Sequence, residues 1–124
     1  MRTSIDPRML VFAFVFLGSA PQALANCKYQ GTPTGNPHET QIIAVSVTYD
    51  GTCPLSFYTP KGVFDSYQVL LEPAHGDLVR RNRYALDYVV THGFSGPDTM
   101  VVKSCSVVGQ DIGCATIVYH FDVE

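Results

Sequence analysis

Tryptophan is absent from this 124-residue chain, and charge is scarce, with Asp, Glu, Lys and Arg making up only 15%. The first absence rules out the cysteine–tryptophan–cysteine core on which many disulfide-bridged β-sandwiches are built. The second, with a formal net charge of −3, leaves no strong positive field of the kind a nucleic-acid partner requires. No apolar run approaches the roughly 20 residues needed to cross a bilayer. The longest, Met9 to Gly18, is about half of that, so no transmembrane anchor is expected. No window carries an apolar stripe at helical spacing for three turns. No paired C-x-x-C knuckle and no nucleophile-elbow pattern occurs either, which removes the commonest zinc and hydrolase signatures.

What is present begins with a leader. Arg2 and Arg8 give a positive start, Met9 to Gly18 the apolar centre, and Ala23-Leu24-Ala25 the small residues at the spacing a signal peptidase reads. Residues 1–25 are therefore expected to be a cleavable signal peptide, with no arginine pair in the leader to suggest the twin-arginine route. Leu24-Ala25-Asn26-Cys27 also resembles a bacterial lipoprotein signal. There Asn26 stands where Gly, Ala or Ser is wanted, and lipidation at Cys27 would leave an odd number of cysteines. Removing Arg2, Arg8 and Asp6 with the leader leaves 99 residues with six basic and ten acidic side chains, a net charge of −4. That suits a single exported domain, periplasmic or extracellular, with one modest core.

All four cysteines, Cys27, Cys53, Cys105 and Cys114, lie after the leader. In an oxidising compartment an even set reads as two disulfides. Three pairings are possible. Cys105 and Cys114 flank the turn-rich Gly109 to Gly113 between two strand-like runs, which favours Cys105–Cys114 across a hairpin; Cys27–Cys53 follows by elimination.

Residues 26–40 are polar and rich in Gly and Pro and read as an irregular lead-in to a domain spanning 41–124. Ile43, Val45, Val47 and Tyr49 then alternate with small or polar residues, the period of a half-buried strand. Residues 53–65 read as loop or a short edge strand. Tyr67, Val69 and Leu71 alternate again until Pro73, Leu78 and Val79 lead to a hairpin-like tip at Arg80 to Arg83, and Tyr84, Leu86 and Tyr88 resume the pattern. Met100 to Val102 and Val107-Val108 are apolar and largely β-branched. Ala115, Ile117, Tyr119, Phe121 and Val123 form the cleanest alternation in the chain. Short strands punctuated by Gly and Pro predict an all-β, antiparallel β-sandwich of about seven strands.

Pro73-Ala74-His75-Gly76-Asp77-Leu78, followed by Tyr88, Phe94-Ser95-Gly96-Pro97-Asp98 and Met100, resembles the bacterial immunoglobulin-like, cadherin-like repeats of secreted and surface proteins. Val90 stands where that family usually has Pro, and Met100 where it usually has Phe. The resemblance implies an immunoglobulin-like sandwich serving as a spacer, adhesion or binding module, with no enzymatic activity and no cofactor. A solitary copy favours binding over spacing. Physically the motif reads as structure. Pro73 lacks a ladder donor and stops a strand, Gly76 and Gly96 permit turn conformations closed to other residues, and Asp98 can accept bonds from backbone amides. Phe94 is expected to plug one end of the sandwich.

The remaining candidates are few. His38, His75, His92 and His120 stand at no close ligand spacing, and Asp50, Asp65, Asp77 and Asp98 are scattered, so no metal is expected. Arg80, Arg81 and Arg83 are the one concentration of charge, either solvated or a contact for an anionic partner. Seven tyrosines serve either as core filling or as a recognition surface. The expected function is a non-enzymatic binding or accessory module for a protein or glycan partner. A structural or assembly subunit completed by a neighbour's strand, and a metal-binding periplasmic protein, are the alternatives.

Overall fold

The computed structural model describes residues 27–124. The leader 1–25 and its cleavage site lie outside the described residues. Eight strands follow in order: β1 Cys27–Gln30, β2 Thr40–Val47, β3 Thr52–Ser56, β4 Val63–Leu71, β5 Gly76–Asn82, β6 Ala85–Val90, β7 Gly96–Val108 and β8 Asp111–Val123. They form two sheets, β1-β2-β8-β7-β4 and β3-β6-β5. Every neighbouring pair is antiparallel except β2 and β8, which run parallel from Thr40 beside Thr116 to Val47 beside Val123.

The period-2 pattern sets which side chains meet between the sheets. Ile43, Val45 and Val47 from β2, Met100 and Val102 from β7, and Ile117, Tyr119, Phe121 and Val123 from β8 are all buried. They share one core with Cys53, Leu55, Leu86, Tyr88 and Val90 of the smaller sheet. The rings of Tyr88 and Phe121 lie nearly parallel across that interface, 3.9 Å apart at their centres. The fold is thus all-β, with two sheets packed as a β-sandwich.

Local chemistry accounts for the departures from the sequence reading. Strand β1 lies inside the stretch expected to be irregular and adds an eighth strand; its four residues are mostly exposed, so no alternation marks them. Strand β3 is a short edge strand containing Pro54. Strand β7 is continuous where the sequence showed two separate apolar patches, because Ser104 and Ser106 occupy inward positions and are buried. The Ser106 hydroxyl donates to the Gly35 carbonyl at 2.7 Å, which draws residues 33–37 over that end of the strand. Bulges at Phe64/Ser66 and Val69/Leu71 shift the register of β4, so Leu71 turns out to solvent at 51% exposure. Arg80 and Arg81 are within β5 rather than in its tip, which is the two-residue turn Arg83-Tyr84.

Cys27 is bonded to Cys53, tying β1 of the larger sheet to β3 of the smaller, and Cys105 to Cys114, directly opposite each other in the β7–β8 ladder. With its sulfur in a disulfide, Cys27 has none left for the thioether of a lipoprotein. Two disulfides indicate an oxidising, extracytoplasmic environment.

Candidate functional site

The motif residues converge at one end of the sandwich. Asp98, near the start of β7, is buried, and both of its carboxylate oxygens are engaged. Oδ1 accepts the amides of Ala74 at 2.9 Å and Thr99 at 3.0 Å. Oδ2 accepts the amide of His75 at 3.0 Å and the hydroxyl of Tyr88 at 2.7 Å. Burial, and then this bond to Asp98, push the Tyr88 phenol well above its ordinary range. The His75 ring stacks on Phe94, centres 4.0 Å apart, and Phe94 is half-buried against the core.

Gly96 has φ of +126°, a conformation open to glycine, but Gly76 has no positive φ. Its requirement is steric: a Cβ there would lie 2.3 Å from the Tyr88 ring. Pro73 is buried in the β4–β5 connection, two residues past the end of β4. Pro73, His75, Gly76, Tyr88, Phe94, Gly96 and Asp98 knit turns to core, and a carboxylate already holding four donors has little capacity left for a ligand.

The three arginines do not form one patch. Arg81 forms an ion pair with Asp87, a buried carboxylate on β6, its Nε donating at 2.7 Å. That bond and the carboxylate charge raise the guanidinium further. Arg80 lies over the Tyr67 ring, 4.4 Å from its centre. Arg83 donates to the Asp65 carbonyl at 2.9 Å. Arg81 is therefore paired with a buried carboxylate, whereas Arg80 and Arg83 form no ion pair among the described residues.

The histidines are also dispersed. His38 contacts Asp111 at 3.0 Å and His92 contacts Asp50 at 3.1 Å, both on the surface. His120 faces solvent beside Thr99, at a loose 3.5 Å. Among the described residues no three His, Cys, Asp or Glu side chains come together as a cation site.

An open depression of about 350 Å³ lies beside Ala74, His75 and Asp98, and a second, uncharged one runs along the seam where β1 and β2 meet the free edge of β3. Beyond the Cys27–Cys53 disulfide, the Tyr29 hydroxyl donates to the Pro54 carbonyl at 2.6 Å, and the two sheets then part. An open groove of about 270 Å³ follows, with Ile43, Leu55 and Tyr119 among its lining and Tyr29, Pro33, Pro54 and Tyr58 around them. None of its ten lining residues is charged. Tyr119 is 1% exposed, and its hydroxyl makes no hydrogen bond. Burial, and then the neighbouring Tyr29, push that phenol upward, so it stays protonated and a donor. A buried hydroxyl without a partner costs about 1–3 kcal/mol, a cost Tyr119 shares with the buried hydroxyls of Thr34, Thr59, Tyr67 and Ser104.

The sequence signal for this site was the tyrosine count, which alone could not separate core from surface. The fold does: Tyr67, Tyr88 and Tyr119 are buried, while Tyr29, Tyr49, Tyr58 and Tyr84 are roughly half exposed. Pro33 and Pro54 carried no functional signal at all. Compared with known proteins, the chain matches no protein-family model and no curated protein.

Proposed function

We propose that this protein is an exported, non-enzymatic binding module of immunoglobulin-like type that recognises a protein or glycan partner through the tyrosine-lined groove beside β3. The observation carrying this reading is the groove itself: open, uncharged and lined by tyrosine and proline side chains. The strand order supports the immunoglobulin-like assignment. β3-β6-β5 follows the order of the B, E and D strands of such domains, and β8-β7-β4 that of G, F and C. The convergence of Pro73, Gly76, Tyr88 and Asp98 supports the resemblance to cadherin-like repeats, since residues scattered over 26 positions would otherwise have no reason to meet.

Completion by a neighbour's strand is less well supported. Such a subunit needs a vacant strand position, whereas β8 runs unbroken between β2 and β7. The test is retention of a partner from envelope extract and growth medium on the immobilised domain. Tyr58→Ser should lose the partner, and Arg80→Ser with Arg83→Ser should keep it. The opposite pattern would move the site to the β5–β6 turn and make the partner an anion.

A further inference from the structure

We infer that two copies of this chain meet face to face through the outer surface of the larger sheet, related by a two-fold axis running along the β7–β8 seam. That surface faces away from the smaller sheet, so the groove has no part in it. Six aliphatic side chains stand well exposed among the described residues, and four of them lie here: Ile42, Val63, Leu71 and Ile112.

The ladder registers line these residues up, because paired residues share a face of the sheet. Ile42 of β2 stands beside Val118 of β8, Val118 beside Val101 of β7, and Val101 beside Leu71 of β4. The result is one apolar row across four strands, whose end members Ile42 and Leu71 are 66% and 51% exposed. A second row, Ile112, Val107 and Val63, crosses the same face near the β7–β8 turn. Large aliphatic side chains gathered on a solvent face leave apolar area in water that a partner would remove.

The symmetry of the rows identifies that partner as a second copy. At the β2 end of the first row Ile42 projects into solvent. At the β4 end the strand stops at Leu71, and the open depression bordered by Leu71, Pro97 and Thr99 begins. A two-fold axis in the plane of the face and parallel to the strands exchanges β2 with β4 and β8 with β7, giving an isologous contact. Ile42 of each copy then meets Leu71 of the other at the rim of its depression. Every outward residue of β7 comes to lie over its own ladder partner in the second copy, so Val101 meets Val118 and Val107 meets Ile112. Charges raise no obstacle: Lys103 comes opposite Thr116, His120 opposite Thr99, and Asp122 opposite Pro97. At strand spacings of about 4.8 Å the overlap covers on the order of 500 Å² per copy. The total of about 1,000 Å² is the least that a specific interface buries, so the dimer is weak and reversible.

The experiment is sedimentation equilibrium of the protein purified from an exporting host, from micromolar to millimolar concentration. A reversible monomer–dimer equilibrium is expected. Ile42→Thr and Leu71→Thr keep the strand preference and should each weaken association roughly tenfold, since each substitution alters a symmetric contact twice. Val79→Thr, at an exposed aliphatic of the smaller sheet, should change nothing, and neither should Tyr58→Ser in the groove. Oxidative cross-linking reads the pairing: Ile42→Cys chains mixed with Leu71→Cys chains should link to each other and not among themselves. A monomer at every concentration would overturn the inference, as would association that survives both threonine variants undiminished. Weakening by Val79→Thr or Tyr58→Ser would place the contact elsewhere, and self-linking of Ile42→Cys would remove the axis; either result overturns it.

Discussion

Tyr88 donates its phenolic proton to Asp98 across 2.7 Å, joining the middle strand of the smaller sheet to the first turn of β7 in the larger. The same carboxylate gathers the amides of Ala74, His75 and Thr99, so one side chain fixes the β4–β5 connection to both sheets. Asp98→Ala strands four donors at once and should cost about 3 kcal/mol. Tyr88→Phe removes one bond and leaves the acceptor three partners, at about 1–2 kcal/mol. Urea unfolding of both variants checks the order. Equal losses would show that Asp98 acts only through Tyr88.

Gly76 and Gly109 separate crowding from backbone strain. At Gly76 a methyl group would lie 2.3 Å from a ring stacked on Phe121, so Gly76→Ala should cost about 2–3 kcal/mol by displacing Tyr88. Gly109 has φ of +63° with open space around it, and Gly109→Ala should cost about 1 kcal/mol from conformation alone. Thermal unfolding of the two variants, with near-ultraviolet dichroism to follow Tyr88, distinguishes the causes; a native tyrosine signal in Gly76→Ala would count against the steric account.

The two disulfides differ in what they restrain. Cys27–Cys53 spans 26 residues and joins the sheets, whereas Cys105–Cys114 spans nine within one hairpin. By chain entropy the longer loop contributes about 1 kcal/mol more. Replacing Cys27 and Cys53 by Ser should therefore lower the urea midpoint further than replacing Cys105 and Cys114. It should also speed hydrogen exchange across the β1–β2 pairing, Cys27–Gln30 against Ala44–Val47. The reverse ranking would show that the hairpin bridge holds more than local structure.

Alkaline stability should report on Tyr119. Its folded-state phenol titrates above the ordinary value of 10.0, chiefly through burial, so the neutral form is favoured by folding. That contribution is complete below pH 10 and is lost as pH rises beyond it, because the unfolded chain then releases a proton that the folded chain keeps. The slope is at most about 1.4 kcal/mol per pH unit for one such group. Tyr119→Phe should flatten the decline in unfolding free energy between pH 10 and 11.5 by up to that amount. An unchanged alkaline limb would place the hydroxyl in water.

Much of the architecture was legible wherever burial is one-sided. Alternation in residues 43–47 and 115–123 correctly marked the inward side chains of β2 and β8. It failed where a core position is polar, as at Ser104 and Ser106; the Ser106 hydroxyl is satisfied by Gly35, 71 residues away in sequence, and the Ser104 hydroxyl makes no hydrogen bond. It failed again at Leu71, where a bulge reverses the face, and at β1, which is too short and exposed to carry a pattern. The arginines were visible as a cluster, but alternation along β5 and the buried Asp87 dispersed them. The groove was illegible because its residues come from four separate segments, and only the closure of β1 against β3 brings them together.

The parallel pairing of β2 with β8 also sets a timetable. The strand at the centre of the larger sheet follows the other seven strands in the chain and is therefore made after all of them. Until it arrives, β2 has only β1 beside it and β7 has only β4, two ribbons too small to hold themselves together in water. The larger sheet of this domain therefore closes only once β8 has been made, in a single step that joins both ribbons.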